Sequence, residues 1–311
     1  MGARDGRSPL VVTAITVEAR DIVSLTLADP VGAPLPPWEP GAHLDLQLIT
    51  RQERQYSLCG DPADTSTYRI AVLREELSRG GSMYVHEFLR VGSRVHARPP
   101  RNLFPLVEAR EHVLLAAGIG ITALLPHARS LEAAGATWSL DLAVRGEASV
   151  PFRHELARLG ARIHSPDHGG RLDLDALLAE PRPGAVVSAC GPARFLTGVT
   201  AAMTAWPAGS LRLERFEPRR VPPRSNRPFT VHCLGSDVSV EVPADRSMLQ
   251  ALRAQNIQVE GSCLRGVCGS CAVRVLDGAV EHRDSLTSGS ETDVMYPCVS
   301  RAAGDALTVD V

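Results

Sequence analysis

Residues 261–275 read GSCLRGVCGSCAVRV, placing Cys263, Cys268 and Cys271 within nine positions of a glycine-rich stretch. The spacing C-x4-C-x2-C with a distant fourth thiol is that of plant-type [2Fe–2S] ligation, and Cys298 in MYPCVSR supplies the fourth. Gly261, Gly266 and Gly269 let the backbone turn tightly and aim amide N–H groups at the sulfurs, which stabilises the added charge of a reduced cluster. Zinc also takes four thiolates, but its sites usually come as two short two-cysteine knuckles, so it is the lesser alternative. Cys59, Cys190 and Cys233 lie outside this set, and Cys59 and Cys233 read as small buried hydrophobes.

Outward from this loop, residues 229–311 contain FTVHCLG, SVEVP, a helical SMLQALRAQ, CAVRVLDG and a closing ALTVDV, a compact α+β unit. It is acidic, with 6 arginines against 11 aspartates and glutamates. Ahead of it, residues 217–228 (EPRRVPPRSNRP) hold four prolines and four arginines and read as an extended, semi-rigid linker. Residues 106–216 alternate apolar strands (HVLLAAG, WSLDLAVR, AVVSACG, SLRLERF) with helical segments (LLPHARSLEAAG, FRHELARLG, RFLTGVTAAMTAW), the rhythm of a parallel sheet with crossover helices. Residues 1–105 show short β-branched or alternating runs such as VVTAITVEA, IVSLTLA, HLDLQLI and YRIAVLR between proline and glycine turns, the pattern of a small antiparallel barrel.

The 311 residues suit two or three modules at roughly 100–200 residues per domain. A net charge of −2 offers no polyelectrolyte attraction, so neither nucleic acid nor a membrane surface is an expected partner. The chain contains no lysine, which excludes lysine Schiff-base chemistry and a P-loop lysine. The N-terminal stretch has no long apolar core before a cleavage site, and no 18-residue apolar run occurs, so a cytoplasmic protein is expected. Seven cysteines, four of them near one end, argue for metal or redox chemistry over a secreted disulfide framework.

Three further stretches carry chemistry. In RQYSL, period-2 alternation sets Arg54 and Tyr56 on one face of a strand and Ser57 on the other; alone this is an ordinary strand. In RGGSMYVHEFL, two glycines and Ser82 precede a helical stretch, which is either a capped helix or a start with amides suited to a phosphate. In LLAAGIGITALL, the turn Gly118-Ile119-Gly120-Ile121-Thr122 joins a strand to a helix, the way an α/β sheet presents amides to a dinucleotide, although the third glycine position holds Ala123. SACGPARF brings Cys190, Gly191 and Pro192 to the end of another strand, which a plain strand-to-helix turn explains equally well.

Together these stretches resemble the phthalate dioxygenase reductase family, vanillate demethylase reductases included, over nearly the whole chain. The first two modules are similar to the wider ferredoxin–NADP reductase superfamily, and the C-terminal place of the cluster module points to this family. The resemblance implies a multidomain fold: an antiparallel β-barrel flavin domain, an α/β parallel-sheet nucleotide-binding domain and an α+β β-grasp ferredoxin domain. It implies that Arg54 lies near the flavin phosphate, Tyr56 along the isoalloxazine edge and the Ser57 hydroxyl near N5. Gly80, Gly81, Ser82 and Met83 match the phosphate-binding helix start, and Val72, Leu73 and Arg74 match a flavin-contacting strand. Gly118, Gly120 and Thr122 match the G-I-G-I-T turn, whose threonine also approaches the flavin. Cys190, Gly191 and Pro192 match the C-G-P motif near the nicotinamide, Phe216 an aromatic that shields the flavin, and Cys263, Cys268, Cys271 and Cys298 the cluster ligands. Ser57 and Cys190 are the residues nearest the chemistry.

The sequence departs from the family at Ala117, where a glycine is usual, and at Ala123, where a proline is usual. Arg145 stands where an acidic residue would meet the adenosine ribose, and could accept a 2′-phosphate. Family habit favours NADH, with NADPH open, and FMN over FAD. The implied activity is that of a monomeric NAD(P)H-dependent oxidoreductase passing electrons through flavin and [2Fe–2S] to a separate terminal oxygenase, foremost a Rieske non-haem iron oxygenase. A cytochrome P450 or free ferredoxin acceptor is the alternative, and a non-catalytic redox sensor or electron carrier is the alternative of another class. The acidic module either meets a basic patch on the acceptor or keeps itself solvated.

Overall fold

The computed structural model describes residues 6–48, 53–76, 80–167, 169–219, 224–287 and 293–311. Part of the 217–228 linker, residues 220–223, lies outside them. The chain forms two compact units, Met1–Glu214 and Arg215–Val311.

The first unit opens with seven strands: β1 (Ser8–Ala19), β2 (Ile22–Ala28), β3 (Ala42–Gln47), β4 (Glu53–Ser57), β5 (Thr67–Leu73), β6 (Arg94–Ala97) and β7 (Arg101–Asn102). They pair antiparallel in the order β4-β3-β6-β1-β2-β5, with β7 on β3. Alternation does the folding here: Leu25, Leu27, Leu44, Leu46 and Ile70 point into one buried core. The sheet curls until Leu58, just past β4, bridges Ile70 on β5. Helix α1 (Gly81–Glu87) follows β5 and is tied to it where a His86 ring nitrogen meets the Val72 carbonyl at 3.0 Å.

The second half of this unit is a parallel sheet of β8 (Glu111–Ala117), β9 (Trp138–Ala143), β10 (Arg162–His164), β11 (Ala185–Cys190) and β12 (Leu211–Glu214) in the order β10-β9-β8-β11-β12. Its helices are α2 (Ile121–Ala133), α3 (Arg153–Arg158), α4 (Leu174–Leu178) and α5 (Ala193–Ala202). β8 is buried from His112 to Ala117, as expected of a strand covered on both faces. The chain goes from β8 to β9 on one side and later to β11 on the other, so the strand order reverses between β8 and β11. Such a reversal opens a crevice at the carboxyl ends of the two strands.

Barrel and parallel sheet share one apolar cluster, with Ile22, Cys59, Ala71 and Phe104 packed against Leu114, Ile121, Leu124 and Phe152. That shared core is why residues up to Glu214 form one unit although two modules are expected from the sequence. The unit ends where β12 stops, at Glu214.

The second unit contains β13 (Phe229–Cys233), β14 (Val238–Val242), α6 (Met248–Ala254), β15 (Val273–Asp277), β16 (Val280–Glu281), β17 (Val294–Met295), β18 (Arg301–Ala302) and β19 (Ala306–Asp310). β13 and β14 form a hairpin, and β19 returns parallel to β13 in the sheet β14-β13-β19-β15-β17. α6 starts with a capping box: the Gln250 N–H donates to Ser247 Oγ at 3.2 Å, and the Ser247 N–H donates to Gln250 Oε1 at 2.9 Å. Its Met248, Leu249 and Leu252 pack on Val231, Val242, Leu307 and Val309.

Candidate functional site

The loop between α6 and β15 carries three of the four predicted ligands, and Cys298 follows β17. Cys268 and Cys271 are buried; Cys263 and Cys298 are half-buried. The thiols fall into two hydrogen-bonded pairs, Cys263 with Cys268 and Cys271 with Cys298. Within each pair one sulfur is favoured as thiolate: the hydrogen bond from Cys263 holds Cys268 below the usual thiol range, and that from Cys298 does the same for Cys271.

Backbone amides surround the pairs. The Arg265 N–H donates to Cys263 Sγ at 3.3 Å, and the amides of Val267, Gly266 and Ser270 serve Cys263, Cys298 and Cys268. Gly266 makes this possible: its φ is +68°, and a Cβ there would stand 2.6 Å from Val299 Cγ2 and 3.0 Å from Asp284 Cα. Asp284, which the sequence reading passes over, is wholly buried beneath this turn. Despite desolvation its carboxyl is lowered by hydrogen bonds: it accepts from the Thr287 and Leu286 amides and the Ser300 hydroxyl. Among the described residues no three His, Cys, Asp or Glu side chains converge as a single metal ion needs. Two thiol pairs in an amide cradle fit a cluster with two irons better than tetrahedral zinc.

In the barrel, Arg54 and Tyr56 of β4 lie opposite Leu46 and Leu44 of β3. Burial pushes the Tyr56 phenol up to about 12, so it is neutral across the working range. Ser57 is buried. Arg54 reaches the start of α1: a Cβ on Gly81 would lie 3.2 Å from both Cγ and Nε of Arg54. Two motifs 26 positions apart in sequence are thereby brought together.

Ser82 is not the cap of α1. Gly80 takes that position with φ +95°, and Ser82 Oγ accepts the Glu75 N–H at 3.2 Å. Val72 is buried, Leu73 is half-buried, and Met83 is 44% exposed. Arg74 pairs with Glu87 of α1 at 2.7 Å, both exposed.

At the parallel sheet, the Gly118–Gly120 turn ends β8 and the Cys190-Gly191-Pro192 turn ends β11, its neighbour across the reversal point. They touch: a Cβ on Gly120 would be 2.2 Å from the Cys190 carbonyl oxygen. Ala117, the departure from the family glycine, fills space beside Gly191, where its own Cβ would be 2.8 Å from a Cβ added there. Thr122 is buried and donates its hydroxyl to the Ile119 carbonyl at 2.9 Å, within the helix start. Leu73 of the barrel shares an apolar cluster with Ile119 and Ile121, which sets the predicted flavin strand beside the glycine turn. Phe216, 37% exposed, falls in the second unit.

The register of β11 and β12 sets Glu214 opposite Cys190, a pairing absent from the sequence reading. Burial keeps the Cys190 thiol protonated and pushes the Glu214 carboxyl up to about 8 from an ordinary 4.5. The folded-state value is raised, so the neutral carboxyl's contribution to stability is full below about pH 4.5 and is lost as pH rises through about 8. Glu214→Gln is expected to flatten the fall in Tm between pH 5 and 8; an unchanged slope by calorimetry would contradict this.

Residues 231–303 match the 2Fe-2S iron-sulfur cluster binding domain family. The heme-dependent oxidative N-demethylase beta subunit of Ectopseudomonas mendocina (strain ymp) is 41% identical over 283 residues, covering 89% of this chain and 90% of that one. Phthalate dioxygenase reductase of Burkholderia cepacia is 38% identical over 318 residues, covering 99% of this chain and 98% of that one. An intact type IV self-sufficient cytochrome P450 monooxygenase of known crystal structure superposes with a TM-score of 0.93 at 38% identity over 100% of this chain. The chain spans 43% of that longer protein.

Barrel, parallel sheet and cluster module in this order define an NAD(P)H-dependent iron–sulfur flavoprotein that delivers electrons to an oxygenase. Within that class, the chain belongs to the phthalate dioxygenase reductase family. No helix among the described residues is long and apolar enough to cross a membrane.

Proposed function

We propose that this protein, as a monomer, takes electrons from NADH onto FMN, passes them to a [2Fe–2S] cluster and delivers them to a separate Rieske non-haem iron oxygenase. The observation that carries the reading is the meeting of the two turns, Gly118–Gly120 and Cys190–Pro192, at the carboxyl edge beside the barrel strand that ends at Val72-Leu73. A redox sensor or simple carrier has no use for that juxtaposition.

A flavin held here would supply the conversion of a hydride's electron pair into single electrons, which is what a [2Fe–2S] cluster accepts. The chain's own residues bind and orient. Arg54 and the start of α1 hold the flavin phosphate, Tyr56 packs along the ring edge, and the Ser57 hydroxyl serves N5 as its proton comes and goes. Gly120 and Gly191 let the two turns close on each other and on Ala117 and Phe195 at the edge where the nicotinamide would lie, with Cys190 fully buried at the end of β11. Cys263, Cys268, Cys271 and Cys298 would hold the cluster. The preference for NADH is supported by Asp167, whose Oδ2 lies 2.6 Å from where a Cβ of Gly146 would be. This sets a carboxylate just past the ends of β9 and β10, where it accepts a ribose hydroxyl and repels the 2′-phosphate that Arg145 would attract.

The test is anaerobic mixing with NADH and with NADPH, followed by diode-array absorbance. Flavin bleaching within a second, then cluster bleaching, with NADPH slower by about tenfold or more, is the expected result. No flavin bleaching in protein holding a full cluster supports the sensor instead. Acid release and chromatography should identify FMN. A haem oxygenase is the second reading for the acceptor, supported by the likeness to the heme-dependent N-demethylase beta subunit and to part of a self-sufficient P450. Turnover reconstituted with each oxygenase type separates the two.

A further inference from the structure

Where the barrel meets the parallel sheet, the apolar seam is flanked by a charged network that no binding motif explains. Glu155 on α3 receives both arms of Arg69 from β5, Nη1 at 2.6 Å and Nη2 at 3.0 Å. The same carboxylate accepts from Arg129 on α2. Both arginines then turn to the backbone just past β4. Arg69 Nη2 donates to the Cys59 carbonyl at 2.8 Å, and Arg129 Nη1 donates to it at 2.9 Å and also to the Gly60 carbonyl. The Arg69 guanidinium also sits 5.0 Å over the ring of Phe152, at the start of α3.

The network joins the two sides of the proposed reaction by rigid paths. Cys59 is two residues from Ser57, and Arg129 lies on the helix that begins immediately after the Gly118–Gly120 turn. The three side chains are about one-fifth exposed, so the ion pairs contribute modest stability. What a bidentate guanidinium–carboxylate pair supplies is direction, because its planar fork admits one orientation.

We propose that Arg69, Glu155 and Arg129 form a positioning clamp that sets the separation of the flavin site at Ser57 from the nicotinamide turn at Gly118–Gly120. The three are positioning residues, and the inference rests on the assignment of flavin to the barrel and NADH to the sheet. A displacement of about 1 Å between reacting groups costs on the order of 100-fold in rate, so loss of one charge from the clamp should show in the hydride-transfer step with little change in cofactor affinity.

The test compares wild-type protein with Glu155→Gln and Arg69→Lys by stopped-flow flavin reduction at saturating NADH, with rates taken per bound flavin. Both variants should lose about tenfold or more in limiting rate, keep the NADH dissociation constant within about twofold, and weaken the long-wavelength NADH–flavin charge-transfer absorbance. Arg69→Lys keeps the charge and loses only the fork; if Glu155→Gln does not fold, it carries the test. Hydrogen exchange, which needs no turnover, should speed up at the Cys59 amide, which bonds the Arg69 carbonyl at 2.8 Å. Limiting rates within about twofold of wild type, or slower rates with unchanged charge-transfer absorbance and unchanged exchange, would overturn the clamp. Failure of the wild-type protein itself to reduce flavin would overturn the cofactor assignment instead.

Discussion

Cys298→Ser is expected to strip the protein of most of its iron and visible iron–sulfur absorbance, and to cut electron delivery to the oxygenase by about 100-fold or more. Flavin reduction by NADH should stay within about threefold of wild type, because the proposed flavin and NADH sites lie in the other compact unit. Cys298 is the proposed remote ligand, 27 positions beyond Cys271, and the β15–β17 pairing and the turn after Met295 carry it back toward its partner. A serine oxygen there is a harder donor that binds iron less well than a thiolate does. Cluster binding is also folding energy, so the second unit should melt earlier in the variant. Iron content, paramagnetic resonance after dithionite and calorimetry measure these outcomes. A full cluster with a wild-type signal would remove Cys298 from the ligand set.

The second large effect is expected from Gly120→Ala. The backbone of Gly120 is ordinary right-handed helix, with φ −58°, so an alanine meets no conformational strain. The obstacle is space: its Cβ would stand 2.2 Å from the Cys190 oxygen, 2.5 Å from the Cys190 carbonyl carbon and 2.8 Å from the Gly191 nitrogen. All three are backbone atoms at the end of β11, which cannot swing aside as a side chain would. Relief requires the two turns to separate, at about 1–3 kcal/mol of stability and a Tm lower by several degrees. Because those turns form the proposed nicotinamide crevice, flavin reduction by NADH should fall by about 100-fold, while flavin content and dithionite reduction of the cluster stay normal. Reduction at the wild-type rate would mean that NADH binds elsewhere.

Not every element was equally legible. The cysteine spacing declared its chemistry because ligand geometry acts over a few bonds, and C-x4-C-x2-C leaves a loop few alternatives. The alternation of β2 and the apolar run of β8 were readable for a similar reason, since each strand's environment is written in its own pattern. Short helix α4 was missed: its five residues carry too little periodicity, and its signal is the single cap in which Asp173 Oδ1 accepts the Ala176 N–H. Ser82 read as a cap because serine before a helical run usually is one, whereas Gly80 can adopt the left-handed backbone that Ser82 would resist.

Spacing and periodicity, taken alone, determined the three kinds of module, their order, the cysteine loop and the two glycine turns, all of which depend on neighbours along the chain. Tertiary structure decided which distant groups meet. It set Arg54 against Gly81, Glu214 opposite Cys190, and Glu155 between two arginines, one of them 86 residues away. It also merged barrel and parallel sheet into one unit through the cluster around Ile22, Cys59 and Phe104. Such contacts arise from strand register and shared burial, which bring together residues whose separation in sequence holds no trace of the encounter.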